Sequence, residues 1–126
     1  VGGLEIGAIP LATAISDYAL ATQPSKTYRT FVVRKQAKDH GLGKQIEGAT
    51  KPNDRVLIVD DVLTSGNSIL QALHAVEEAG FHASHALVIV DRQEQDGKQK
   101  VEAQGVELIS LLTLEDLKAA RPNPTS

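Results

Sequence analysis

The sequence predicts an α/β fold in which a parallel sheet is covered by helices on both faces. Residues 56–59 and 86–90 are unbroken runs of aliphatic side chains, which are typical of strands buried on both faces of a parallel sheet. Between these runs, Ile69, Leu73 and Val76 recur at the spacing of a helix that buries one face. The 126 residues, 41% of them hydrophobic, are enough for one domain with its own core.

The chain opens on a glycine-rich stretch, residues 2–10, which indicates the end of a strand followed by a tight turn. The glycines either let the backbone approach a ligand closely or only permit the turn to pack against a neighbouring strand. Pro10 suits the first turn of a helix. The second strand is predicted at residues 28–33. The expected buried face of the first helix consists of Leu11, Ala14, Ile15 and Tyr18.

Residues 34–48 form a basic segment without apolar periodicity, directly after the second predicted strand. Four basic residues and one histidine fall within its first eleven positions. A long loop at the carboxyl end of a strand lies where open α/β sheets bind ligands, so we expect a segment that closes over a ligand. The alternative is a charged loop that is solvated and has no such role.

Residues 56–68 carry the most specific pattern: an apolar strand, two aspartates, and a loop of small polar residues around Gly66. A helix follows, and the unpaired N–H groups and positive dipole end at its start favour a phosphate monoester. Asp60 and Asp61 would repel a phosphate, so we expect them to accept hydrogen bonds from hydroxyls or to face a cation. A ribose 5-phosphate carries both kinds of group. The alternative is a plain connection whose aspartate and threonine only cap the helix.

The second half of the chain continues the alternation of helices and strands. The four residues from Thr113 to Asp116 resemble a capping box for a last helix through residue 120. We therefore expect a core domain at residues 1–120 and a frayed tail at residues 121–126. The remaining predictions are helices at residues 67–79, with Gly80 as C-terminal cap, and 98–104, and strands at residues 83–91 and 106–112.

Four segments with ligand-binding character each follow a predicted strand. The carboxyl ends of parallel strands share one edge of a sheet, so we expect these segments to converge on one site. They are residues 2–7, 34–40, 60–68 and 91–92.

Composition excludes several classes of function. The net charge of −3 gives no reason to expect nucleic acid as a partner. The absence of cysteine excludes disulfides, thiolate catalysis and thiolate metal sites. No apolar run approaches the length of a membrane span, and no signal-peptide pattern opens the sequence, so the expected location is cytoplasmic, without a membrane partner.

The acidic pair and the Thr/Ser/Gly loop after it resemble the signature of the type I phosphoribosyltransferases, which bind 5-phosphoribosyl-1-pyrophosphate (PRPP). The motif at residues 34–41, together with residues 46–48 and 91–94, narrows this resemblance to the orotate phosphoribosyltransferase family. The resemblance implies a Rossmann-like fold and the transfer of phosphoribose from PRPP to orotate in pyrimidine biosynthesis. Two alternatives stay open: a non-catalytic regulator that senses PRPP or a nucleotide, and a phosphoribosyltransferase for another base.

The same resemblance implies roles for individual residues. Asp60 and Asp61 would contact the ribose hydroxyls, and Arg92 would face orotate. The expected catalytic residues are Lys38, His40, Asp60 and Asp61. The expected substrate-binding residues are Arg34, Lys35, Lys38, His40, Asp60, Asp61, Val62, Leu63, Thr64, Ser65, Gly66, Asn67, Ser68 and Arg92.

The resemblance also implies Mg²⁺, held mainly through PRPP and not by a cluster of protein ligands. It implies a homodimer in which the loop of residues 34–48 reaches the partner's site. Members of the family have an N-terminal region that forms a hood over the base, and nothing here matches it, so we expect that region to be missing. Gly7 stands where many relatives carry lysine.

Overall fold

The computed structural model describes residues 1–36 and 45–122. Lys38, His40 and the end of the predicted tail lie outside the described residues. The strands are β1 (Gly2–Leu4), β2 (Phe31–Val33), β3 (Ile46–Gly48), β4 (Arg55–Leu63), β5 (His82–Asp91) and β6 (Glu107–Thr113). The helices are α1 (Ala8–Thr22), α2 (Asn67–Glu78), α3 (Gly97–Glu102) and α4 (Leu114–Ala119).

The described residues form one six-stranded sheet in the order β3-β2-β1-β4-β5-β6. All neighbouring strands run parallel except β3, which is antiparallel to β2. The α/β fold is therefore confirmed, with one correction: β3 forms within the segment that the sequence predicts to be a basic loop. Ile46 packs against the core, and β3 pairs with the outer edge of β2, which would otherwise be unpaired.

Helices cover both faces of the sheet, as predicted. Successive residues of β4 point to opposite faces, so Ile58 packs in a cluster with α2 and α3, whereas Val59 packs in a second cluster with α1. Both side chains are almost completely buried, at 0% and 1% exposure. The sequence run without polar alternation follows from this double burial.

The buried face of α1 agrees with the prediction in part: Leu11 and Ile15 are partly buried against the core, whereas Ala14 and Tyr18 are exposed. Its buried residues are Ala8 and Ala12, whereas Tyr18 is 72% exposed. Close packing on the glycines of β1 explains the difference, because a Cβ at Gly3 would lie 2.9 Å from the Cβ of Ala8. Only small side chains fit where α1 crosses β1.

The ends of the helices agree with the sequence patterns. Thr113 caps α4 by accepting a hydrogen bond from the Asp116 N–H at 3.1 Å, and the Asp116 carboxylate accepts one from the Thr113 N–H at 2.8 Å. Gly80 follows α2 with a φ of +85°. Of the helices formed by residues 1–36 and 45–122, none has the length and apolar character that crossing a bilayer requires.

Candidate active site at the carboxyl edge of the sheet

The predicted convergence of segments at one sheet edge is found wherever the structure describes them. Because β1, β2, β4 and β5 are parallel, their carboxyl ends lie at the same edge. Two backbone hydrogen bonds join the segments that leave this edge. The Glu5 N–H donates to the Val33 carbonyl at 2.8 Å, and the Arg92 N–H donates to the Leu63 carbonyl at 2.9 Å.

The loop before α2 ends in a glycine that has a left-handed backbone. Gly66 is the N-cap of α2, with a φ of +84°, and no side chain caps the helix from this position. The Asn67 N–H lies 3.3 Å from Ser65 Oγ. The alternative in which an aspartate or Thr64 merely caps the helix is therefore not what the structure shows. The first turn of α2 instead presents backbone N–H groups at the positive end of the helix dipole.

A small cavity of about 90 Å³ lies at this helix start and is lined by Asp60 and by residues 62–69. Gly66 closes its back, because a Cβ there would lie 3.0 Å from the carbonyl oxygen of Gly97 at the start of α3. The loop thus combines a small polar cavity with N–H donors.

Asp60 and Asp61 lie inside β4, which continues to Leu63. The sequence instead predicts that the strand ends at the two acids. The strand continues because Val62 and Leu63 pair with Val90 and Asp91 of β5. Leu63 is buried in the core, with 1% exposure, whereas Val62 is 42% exposed.

The two aspartates differ in burial and in charge. Asp60 is 8% exposed, whereas Asp61 is an exposed residue. Burial, followed by hydrogen bonding to the Asp61 side chain, raises the pKa of Asp60 from 3.8 to about 7. The Asp61 N–H donates to Asp60 Oδ1 at 2.8 Å, and the Val62 N–H donates to Asp61 Oδ1 at 2.8 Å. Asp60 can therefore hold a proton near neutral pH.

Gly7 lies directly against both carboxylates. A Cβ at this position would lie 2.7 Å from Asp60 Oδ1 and 3.0 Å from Asp61 Oδ1. The turn between β1 and α1, which contains a cis peptide bond between Glu5 and Ile6, therefore comes close to the acidic pair at Gly7, and a Cβ there would have to displace a carboxylate.

The first residues of the basic segment are anchored at the same edge. Arg34 Nη1 lies 2.9 Å from Glu47 Oε1, and the Arg34 N–H donates to the Gln45 carbonyl at 2.8 Å. Lys35 follows, with an exposed side chain. Arg34 and Lys35 are the members of the predicted basic set that the structure describes at this edge.

Arg92 lies at the end of β5 and begins an irregular loop. Its Nη2 atom lies 3.2 Å from Glu94 Oε1 in an exposed ion pair. Gln93, Gln95 and Asp96 all have φ values between 53° and 57°, which non-glycine residues adopt only under constraint. One constraint is the buried Asp91, whose Oδ1 accepts a hydrogen bond from the Gln93 N–H at 2.8 Å.

Two residues at this edge are outside the expected substrate-binding set, although Glu5 lies in the segment of residues 2–7 that is predicted to reach the site. Glu5 Oε1 accepts a hydrogen bond from the Lys35 N–H at 2.8 Å, and Gln71 Nε2 donates to the Lys35 carbonyl at 3.0 Å. The position of Glu5 after β1 is the signal that could have identified it. Gln71 lies one turn into α2, on its exposed face, and the sequence holds no signal for it.

The sequence pattern of a family described as "Phosphoribosyl transferase domain" matches residues 1–113. Among curated proteins, the chain is 41% identical over 116 residues to an orotate phosphoribosyltransferase of Aquifex aeolicus, covering 92% of this chain and 62% of the relative. It is 43% identical over 117 residues to one of Pyrococcus furiosus, covering 93% and 60%. The chain therefore spans about three fifths of the length of the curated relatives it matches.

A solved structure gives the same picture. The crystal structure of Mycobacterium tuberculosis orotate phosphoribosyltransferase in complex with PRPP superposes with a TM-score of 0.76. The two sequences are 40% identical, and the match covers 92% of this chain and 63% of the other.

Proposed function

This chain belongs to the phosphoribosyl transferase domain family, and from that premise we propose that it transfers the 5-phosphoribosyl group of PRPP to orotate. The products are orotidine 5′-monophosphate and pyrophosphate, as pyrimidine biosynthesis requires. The relatives named as orotate phosphoribosyltransferases, at 41% and 43% identity, support orotate as the acceptor.

The observation that carries this proposal is the cavity at the start of α2, beside the acidic pair. Residues 64–68 would receive the 5-phosphate through backbone N–H groups, because Gly66 provides no capping side chain. Asp60 also lines this cavity and Asp61 follows it in β4, and the two carboxylates would accept hydrogen bonds from the two ribose hydroxyls. A raised pKa of Asp60 suits this role, since a proton on Asp60 reduces the repulsion between the carboxylates.

The chemical step is a displacement at the anomeric carbon. The bond from this carbon to the pyrophosphate oxygen breaks, and its electron pair leaves with pyrophosphate. The ring nitrogen of orotate forms the new bond, and the proton it loses is taken up by the departing pyrophosphate or by water. Negative charge therefore grows on pyrophosphate, and we assign Arg34, Lys35 and Lys38 to stabilise it, with His40 as hydrogen-bond or proton donor. Arg92 is assigned to orotate, whose carboxylate would compete with Glu94 for the guanidinium.

Mg²⁺ is part of the proposal and would neutralise charge on the pyrophosphate. Within residues 1–36 and 45–122, no three acidic or histidine side chains are grouped closely enough to hold a metal ion. We propose a cation that would be bound mainly through PRPP oxygens and water, a mode of binding that needs no cluster of protein ligands. We propose a cytoplasmic location because the charged substrates do not cross a lipid bilayer unaided.

The test is a screen of bases with PRPP and Mg²⁺, in which pyrophosphate release and loss of the base are both measured. We expect turnover with orotate and none with adenine, guanine, hypoxanthine or uracil. PRPP binding without turnover of any base would identify a regulator, and turnover of a purine would replace the proposed acceptor. Asp60→Asn with Asp61→Asn should weaken PRPP binding, since charged hydrogen bonds contribute roughly 1.5–3 kcal/mol each.

We also propose a homodimer in which the loop of residues 34–48 acts in the partner's site. Lys38→Ala should lower kcat by about 10²-fold, equivalent to roughly 2.7 kcal/mol, because its charge acts mainly on the departing pyrophosphate. Mixed dimers of Lys38→Ala and Asp61→Asn subunits should then regain activity at sites that combine the two intact parts. If verified heterodimers regain no activity, the loop does not act in the partner's site.

A further inference from the structure

The peptide unit of Lys35 is held on both sides by side chains from other elements. Its N–H donates to Glu5 Oε1 at 2.8 Å, and its carbonyl accepts from Gln71 Nε2 at 3.0 Å. These partners are 30 and 36 residues away in the sequence, in the β1–α1 turn and in α2. The site edge therefore fixes this peptide, and local secondary structure does not.

Glu5 extends the pairing of β1 with β2 beyond the last residue of both strands. Its own N–H donates to the Val33 carbonyl at 2.8 Å, as a strand residue would. Its carboxylate then accepts the Lys35 N–H, which takes the place of the next backbone bond. The direction in which the chain leaves β2 is thus set by the residue that follows β1.

Arg34, one residue earlier, is held within its own segment. Its N–H donates to the Gln45 carbonyl at 2.8 Å, and its carbonyl accepts from Gln45 Nε2 at 2.9 Å. The backbone of Arg34 is thus paired with Gln45, whereas the backbone of Lys35 is bound by the β1–α1 turn and by α2, which build the site. Ordering the side chains of Glu5 and Gln71 costs conformational entropy, which a solvated loop would not require.

We propose that Glu5 and Gln71 are positioning residues, which orient Lys35 toward the pyrophosphate end of PRPP. This inference rests on the proposed function and assigns a task to two residues outside the expected substrate-binding set. It requires that these residues affect recognition of the pyrophosphate group and leave recognition of the 5-phosphate and ribose unchanged.

The experiment compares the dissociation constants of PRPP and of ribose 5-phosphate, which lacks the pyrophosphate, by calorimetry with Mg²⁺. Glu5→Ala and Gln71→Ala should each raise the Kd for PRPP about fivefold, the effect of one hydrogen bond, and leave that for ribose 5-phosphate within twofold. Glu5→Gln keeps an acceptor oxygen and should restore most of the affinity. Gln71→Glu keeps the shape, loses the donor and should behave like Gln71→Ala.

Matched controls are Glu77→Ala and Gln99→Ala, at exposed positions on α2 and α3, which should change neither constant. Amide hydrogen exchange at Lys35 should accelerate in Glu5→Ala and not in Glu77→Ala. Equal weakening of both ligands, or no change in either, would overturn the positioning role. Failure of the unsubstituted protein to bind either ligand would overturn the proposed function itself, and this inference with it.

Discussion

Arg29 and Asp54 form a two-point ion pair at the end of the sheet opposite the candidate site, with Arg29 Nη2 at 2.6 and 2.7 Å from the two carboxylate oxygens. Arg29 Nε also donates to the Ala49 carbonyl at 2.8 Å. The Asp54 carboxylate also accepts a hydrogen bond from the Lys51 N–H, and the backbone carbonyl of Asp54 accepts one from the His82 N–H. One ion pair thus fixes the connection from β3 to β4 against the starts of β2 and β5.

The ion pair should make stability depend on pH in the acidic range. Hydrogen bonds from Arg29 lower the pKa of Asp54 below 3.8, so its contribution is complete above pH 3.8 and is lost as the pH falls through the lowered value. Asp54→Asn should therefore lower the Tm at pH 7, and the difference from the unsubstituted protein should shrink toward pH 2. Thermal unfolding at both pH values measures it, and a constant difference would contradict the assignment.

Asp60 should have the opposite pH dependence. Its pKa rises from 3.8 to about 7 on folding, so the folded state binds the proton more tightly and stability falls as the pH rises through this interval. Relative to Asp60→Asn, the unsubstituted protein should have a larger free energy of unfolding at pH 5 than at pH 8. Urea unfolding of both proteins tests this, and as a control the difference in free energy of unfolding between Asp54→Asn and the unsubstituted protein should stay constant from pH 5 to pH 8.

Gly7→Ala should weaken PRPP binding by displacing the acidic pair, because the new Cβ would lie 2.7 Å from Asp60 Oδ1. We expect a loss of about tenfold in affinity, or roughly 1.4 kcal/mol. In a background that already carries Asp60→Asn and Asp61→Asn, the same substitution should cost little more. A full tenfold loss in that background would show that Gly7 acts independently of the acids.

The sequence predicts the central part of this fold because those residues are determined by burial. Ile58 and Val59 are apolar since each faces a different core cluster, and that pattern is local. β3 has no comparable signal, because its three residues include Glu47 and end in Gly48, and only the pairing with β2 makes them a strand.

For the site, too, the sequence predicts the features that lie within one local stretch and not the contacts between distant residues. Asp60 and Gly66 lie within one stretch, so their spacing reveals a loop before a helix. The contacts of Lys35 with Glu5 and Gln71 join residues 30 and 36 positions apart, and no local pattern records them. Likewise, the burial of Ala8 depends on how closely α1 approaches Gly3 of β1.

The role of Gly66 can be separated from its backbone strain, because the chain offers a second glycine with the same conformation. Gly66 has a φ of +84° and Gly80 a φ of +85°, so alanine at either position should cost about 1–2 kcal/mol of stability. A Cβ at Gly80 would have no neighbour within 4 Å, whereas one at Gly66 would lie 3.0 Å from the Gly97 carbonyl oxygen.

Both variants should therefore unfold at lower urea concentration, with Gly66→Ala somewhat less stable. Only Gly66→Ala should also lose affinity for ribose 5-phosphate, because it shifts the loop that presents N–H groups to the phosphate. Calorimetry with ribose 5-phosphate, performed well below either unfolding transition, distinguishes the two effects. Equal affinity in both variants would show that the loop before α2 does not bind the phosphate.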